Sequence, residues 1–180
     1  MIRALCLALM LLPAATYAQG TPAPDAPFVE PPMTLTRLGR IVQSLDPDAV
    51  VRGPALEFTL DDIPVIVIAD AGADRMRAMV PIASADGLSQ DDLMRMMQAN
   101  FDSALDARYA VAHGRLWGVF IHPLSPLEKD QFLSGLVQTI TVARTYGTGY
   151  TGGAAIFGGG DSNGIYQELL EELRKKGQEL

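Results

Sequence analysis

The chain has 180 residues, of which 48% are apolar and 19% charged, with a formal charge of −7. That length favours one domain with an appendage at either end, and the apolar content suffices for a core. The acidic balance argues against a nucleic-acid partner, which needs a basic face for phosphates, and against electrostatic attachment to an anionic membrane.

Residues 1–18 have the layout of an export signal. Arg3 supplies the positive charge, 4–12 are apolar, Pro13 ends the run, and Thr16 and Ala18 place small residues at −3 and −1. The run is short for a bilayer span. The expectation is cleavage after Ala18, a periplasmic or secreted mature chain, and no stable membrane insertion after cleavage. Cys6 is the sole cysteine and falls inside this segment, so the mature chain has no disulfide and no thiolate site. Residues 19–33 carry Pro22, Pro24, Pro27, Pro31 and Pro32 and read as a polyproline-like spacer.

The domain is predicted over 34–147. Thr34 is placed to cap a helix reaching Leu45, with Met33 and Leu38 at staple spacing and Leu35, Leu38, Ile41, Val42 and Leu45 as its stripe. Three strands follow. Leu56, Phe58 and Leu60 alternate with polar residues, Ile63 to Ala69 is nearly continuous apolar sequence, and Met76, Ala78, Val80 and Ile82 alternate again. The short turns at Asp61-Asp62 and 70–73 force an antiparallel meander.

Ser89 to Asp92 resembles a capping box, and Leu93, Met96, Met97, Asn100, Phe101 and Ala104 recur at helical spacing. This matches an ordinary buried face, so the methionines are expected in the core; an adaptable Met-rich groove is the alternative. Arg108 to Ala112 and Leu116 to His122 flank His113-Gly114-Arg115 as a hairpin, with Trp117, Val119 and Ile121 on one face. Ser125 as N-cap, Pro126 and Glu128 are read as opening a last domain helix, which Gly147 ends. Residues 148–161 are a Gly-rich linker. Residues 162–180 form a short amphipathic helix marked by Ile165, Leu169 and Leu173, with Glu171–Lys175 and Glu172–Lys176 pairs. So short a helix must dock, find a partner or fray. The fold class is α+β, a single domain of helix, three-strand meander, helix, two-strand hairpin and helix.

No residue set carries catalysis. Gly147 to Gly152 matches G-x-G-x-x-G in letters, yet it leaves a helix and continues into glycine rather than joining strand to helix. His113 and His122 are the only histidines, and a metal site needs three or four converging donors. Asp61-Asp62, Asp70 with Asp74, and Asp91-Asp92 lack calcium-loop spacing and fit turns and helix caps. No cofactor and no metal are expected.

The span from Thr34 to Gly147 resembles the YbjN / type III secretion chaperone-like (CesT-like) group. The carrying features are Leu56-Glu57-Phe58, Met76-Arg77-Ala78, Leu93 to Asn100-Phe101, Ala107-Arg108-Tyr109-Ala110, Gly114-Arg115-Leu116-Trp117 and Pro123-Leu124-Ser125. The resemblance implies a compact α+β domain, often homodimeric, that binds protein and converts no substrate. The export signal points to the YbjN-like branch. Met94, Trp117, Val119 and Ile121 are the expected protein-binding surface. The competing expectation is a small periplasmic enzyme with His113 or His122 as general base beside an aspartate. A third makes the C-terminal helix a tethered docking segment.

Overall fold

The computed structural model describes residues 29–102, 104–146 and 162–177. The predicted signal peptide, most of the Pro-rich spacer, the Gly-rich linker with its G-x-G-x-x-G match, the Gly147 helix stop and the Ile165 side chain lie outside the described residues. In order, the elements are α1 (Leu35–Leu45), β1 (Val50–Arg52), β2 (Ala55–Leu60), β3 (Ile63–Asp70), β4 (Arg75–Ser84), α2 (Gln90–Asp102), β5 (Arg108–Ala112), β6 (Arg115–Pro123), α3 (Lys129–Arg144) and α4 (Ser162–Gly177).

The strands form one antiparallel sheet in the order β1-β2-β3-β4-β6-β5. Two hairpins fix its register. Asp61 and Asp62 have φ of 52° and 61°, and His113 and Gly114 have 51° and 68°, the left-handed pair that a two-residue hairpin needs. Pairing of β4 with β6 joins the meander to the second hairpin, with Arg77 opposite Ile121 and Met79 opposite Val119. The ladder slips between Pro81 and Ala83. Pro81 lies past the last β3–β4 pair, Ile66 with Met79, so β4 has a partner on one side only and the missing N–H breaks no second ladder.

Alternation then sorts the side chains. Leu56, Phe58, Leu60, Val65, Val67, Met76, Ala78, Val80 and Phe120 point into the main core with Leu38, Ile41 and Val42 of α1 and Phe132, Leu133, Leu136 and Ile140 of α3. Thr34 caps α1 by accepting the Arg37 N–H at 3.1 Å, and Met33 is buried with Leu38. α4 docks: Leu169, Leu170 and Leu173 are buried in this same core, so α1, α3 and α4 share one face of the sheet. The Glu172–Lys176 pair forms at 2.9 Å.

Three readings need correction. β1 was not expected; three residues are too few to show a period. α3 starts later than Ser125 suggests, because Glu128 is its N-cap and forms a capping box with Gln131. Ser125 is drawn off by Asp74, whose carboxylate accepts the Ser125 N–H at 2.7 Å and its hydroxyl at 2.9 Å. The third concerns α2. Met96 and Ala99 are its buried residues, while Leu93, Met97 and Phe101 stay exposed. α2 packs chiefly along β5 and buries only Met96 and Ala99, in the cluster of Tyr109, Leu116 and Val142, so the rest of its stripe faces outward.

Gly135 should be intolerant of a side chain, since an added Cβ would stand 2.5 Å from the Phe120 ring. Gly135→Ala is expected to cost about 1–3 kcal/mol by overpacking, read as a lower urea midpoint at unchanged slope. The Ser125 N–H and hydroxyl hold the Asp74 carboxyl below its ordinary 3.8. A depressed carboxylate stabilises above its unfolded pKa, and that contribution vanishes as pH falls through the folded value. Asp74→Asn, which tolerates the left-handed φ of 50° at this position, should therefore lower Tm at about pH 7 and change it less as pH falls toward about 2.

Candidate protein-binding surface

The face of the sheet opposite the helices is built by the other half of the alternation. Cross-strand register aligns Glu57, Ile66, Met79, Val119 and Arg108 in one row, and Ala55, Ile68, Arg77 and Ile121 in the next. Pro81, Trp117 and Ala110 make a third. None of these residues belongs to either buried core, and no described helix packs on them. Ile121 is 54% exposed, and Ile66, Met79, Trp117 and Val119 are half-buried by one another. Trp117 is fixed in place: its indole N–H donates to the Ala112 carbonyl at 3.0 Å, and the Arg115 guanidinium sits 5.9 Å from the ring centroid.

The structure thus brings Trp117, Val119 and Ile121 together on β6. It does not bring Met94 to them. Met94 is 62% exposed on α2, where it forms a separate apolar stripe with Leu93, Met97 and the 81% exposed Phe101. A shallow concavity lined by Asp91, Met94, Arg95, Met97 and Gln98 follows this helix. The cap of α2 is as its sequence predicts: Ser89 Oγ donates to Asp92 at 2.6 Å and accepts the Asp92 N–H at 3.1 Å. Those hydrogen bonds lower the Asp92 carboxyl below its ordinary value, the hydroxyl first and the Ser89 N–H second.

Side chains also close one sheet edge, a role that in the sequence only the Asn100 position hints at. Asn100 accepts the Tyr109 N–H at 2.7 Å and donates to the Tyr109 carbonyl at 3.2 Å, standing where a further strand would pair with β5. Gln138 Oε1 accepts the N–H groups of Asp106 and Ala107 at 2.7 and 3.1 Å. The Tyr109 hydroxyl reaches the Val142 carbonyl at 2.8 Å, tying the same edge to α3.

The histidines stay apart. His113 occupies the β5–β6 turn, and His122 lies at the other end of β6, about 30 Å away at strand rise. His122 pairs through Nδ1 with the Pro123 carbonyl at 2.8 Å and stacks on Phe120, which accounts for it structurally. Asp70 accepts the N–H groups of Gly72 and Ala73, and Asp74 holds Ser125, so both carboxylates serve turns. Among the described residues no cluster of three potential metal ligands exists.

No protein-family model matches this chain, and no curated protein matches it. Solved structures match in fold. A chain of the ExsC–ExsE complex superposes with a TM-score of 0.50 at 12% identity, over 63% of this chain and 96% of its own. A chain of the HopA1–SchA chaperone–effector complex gives 0.48 at 8% identity, over 61% and 91%. The architecture is therefore a single α+β domain whose fold is shared with a chain of the ExsC–ExsE complex.

Removing the Asn100 amide strands two half-buried backbone groups. Asn100→Ala should cost about 1–3 kcal/mol in denaturant unfolding and speed hydrogen exchange at the Tyr109 amide.

Proposed function

We propose that this chain is an exported, non-catalytic protein-binding module of chaperone-like type, the YbjN-like branch of its fold, acting in the periplasm or outside the cell as a homodimer. The observation that carries the reading is the uncovered apolar sheet face of Ile66, Ile68, Met79, Trp117, Val119 and Ile121. Apolar residues grouped on one sheet face that no described helix covers mark an interaction site rather than scattered ordinary surface. The matching fold was solved as a complex of two proteins, ExsC with ExsE, which supports the same reading. The dispersed histidines give a hydrolytic or acid–base alternative no geometry to build on.

The α2 stripe of Leu93, Met94, Met97 and Phe101 is the surface we assign to the second copy. Its residues recur along one helical face, so a two-fold axis can set stripe against stripe. Light scattering of residues 19–180 is expected to give twice the monomer mass, and Met97→Glu with Phe101→Glu to give a folded monomer. A native chain that stays monomeric at micromolar concentration ends the dimer assignment. For the sheet face, capture from the source organism's periplasmic extract should retain a stoichiometric partner that Val119→Glu with Ile121→Glu releases. Equal retention by that variant moves the site elsewhere.

A further inference from the structure

The charge on the open sheet face runs against that of the molecule. The chain has 14 Lys and Arg against 21 Asp and Glu. Yet alternation places Arg52, Arg75, Arg77, Arg108 and Arg115 on the open-face strand positions, against only Glu57 and Asp70. Glu57 is taken by Arg52 at 2.9 Å, and Asp70 by the amides of its own turn. Arg77, Arg108 and Arg115 have no carboxylate within ion-pair distance among the described residues, and Arg75 forms no ion pair there although it stands opposite Asp70 and helps to hold the Asp74 carboxyl down. Arg75 and Arg108 donate to backbone carbonyls, and Arg115 lies over Trp117. Arg77 stands in the row between Ile68 and Ile121, a cation in the middle of the apolar patch.

Geometry restricts the occupant further. Where β3, β4 and β6 pair side by side, their backbone N–H and C=O groups lie in the plane of the sheet along the ladders, so the face offers none to a visiting chain. A helix lying on it satisfies its own backbone, whereas an extended segment would leave unpaired those groups that it turns away from water. From Trp117 to Ile121 the patch runs about 13 Å along the strands, matching about nine residues of helix at 1.5 Å each.

Resting on the binding-module reading above, we propose that the partner segment is an acidic amphipathic helix. Its apolar stripe covers Ile66, Met79, Trp117 and Val119, and its carboxylates meet Arg75 and Arg77 toward one end of the strands, Arg115 at the other and Arg108 at the β5 margin. Charge pairing at the rim sets which segments are accepted and how fast they arrive; apolar burial holds them.

Trp117 is the only tryptophan in the chain, so its emission reports occupancy of this face directly. The probe is a synthetic 14-residue Leu/Glu amphipathic helix, titrated into residues 19–180 beside analogues with Gln or Lys in place of Glu. The Glu peptide should shift Trp117 emission and bind at least about tenfold tighter than the Gln peptide at about 0.05 M salt, with the gap closing at about 0.5 M. The Lys peptide should bind weakest. Arg77→Gln with Arg75→Gln, both exposed and checked for folding by circular dichroism, should abolish the Glu preference while keeping the Gln-peptide affinity. If Gln and Glu peptides bind alike, the face is a docking surface and the acidic-partner inference is wrong. If no peptide moves Trp117 emission, the sheet-face reading falls with it. Two controls name rival occupants, and either result overturns the proposal: binding to anionic but not neutral vesicles, or a peptide-free emission shift that grows with protein concentration.

Discussion

α3 lies against β6 at a separation that only two glycines allow. A Cβ on Gly118 would stand 3.1 Å from the Thr139 carbonyl oxygen, and the space over Gly135 is filled by the Phe120 ring. One glycine on the strand and one on the helix interlock with each other's neighbours. This close approach seats Phe132, Leu136 and Ile140 on the centre of the sheet and brings Val142 over Leu116 and Tyr109, so the two buried clusters meet along one helix. Packing this tight leaves no room for volume changes without strain. α4 then closes the layer from outside, with Arg174 paired to Asp130 at 3.3 Å and the Lys129 ammonium on the Gly177 carbonyl.

With α1, α3 and α4 all on one side, the sheet has a second side that the described elements leave bare. The functional proposal rests on that asymmetry. The buried side is filled by aliphatic and aromatic residues, whereas the bare side mixes apolar residues with arginines, of which Arg52 alone among the described residues is paired to a strand carboxylate, Glu57. Desolvating an arginine without a partner is costly, so such a face remains open to water until something anionic and apolar reaches it. α2 stands outside this scheme, anchored by Met96 and Ala99 and otherwise apolar toward solvent.

The edges are handled by side chains instead of strands. Asn100 and Gln138 occupy the β5 side, and Asp46 accepts the Thr59 N–H at 2.8 Å where β1 no longer shields β2. Amide and carboxylate groups here perform the pairing that a neighbouring strand would, which removes a template for edge-to-edge association. At β5 and at the end of β2, that pairing leaves the flat face as the larger surface open to a specific partner.

Local chemistry was legible in the sequence. The alternation of β2, β4 and β6, the turns at Asp61-Asp62 and around His113-Gly114, the Thr34 and Ser89 caps and the common face of Trp117, Val119 and Ile121 all follow from contacts within a few residues. A period shows that an element has two faces; it does not say what lies against either. Tertiary structure alone decided that α2 would bury only part of its stripe, that Met94 would sit apart from the β6 trio, and that Ser125 would bond Asp74 instead of capping α3. It also decided that α4 would dock on α1 and α3. The reason is physical: backbone propensity and turn chemistry act over one or two turns of chain. Burial depends on a partner that arrives from far along the sequence, and the arginine-rimmed face exists only once β3, β4 and β6 lie side by side.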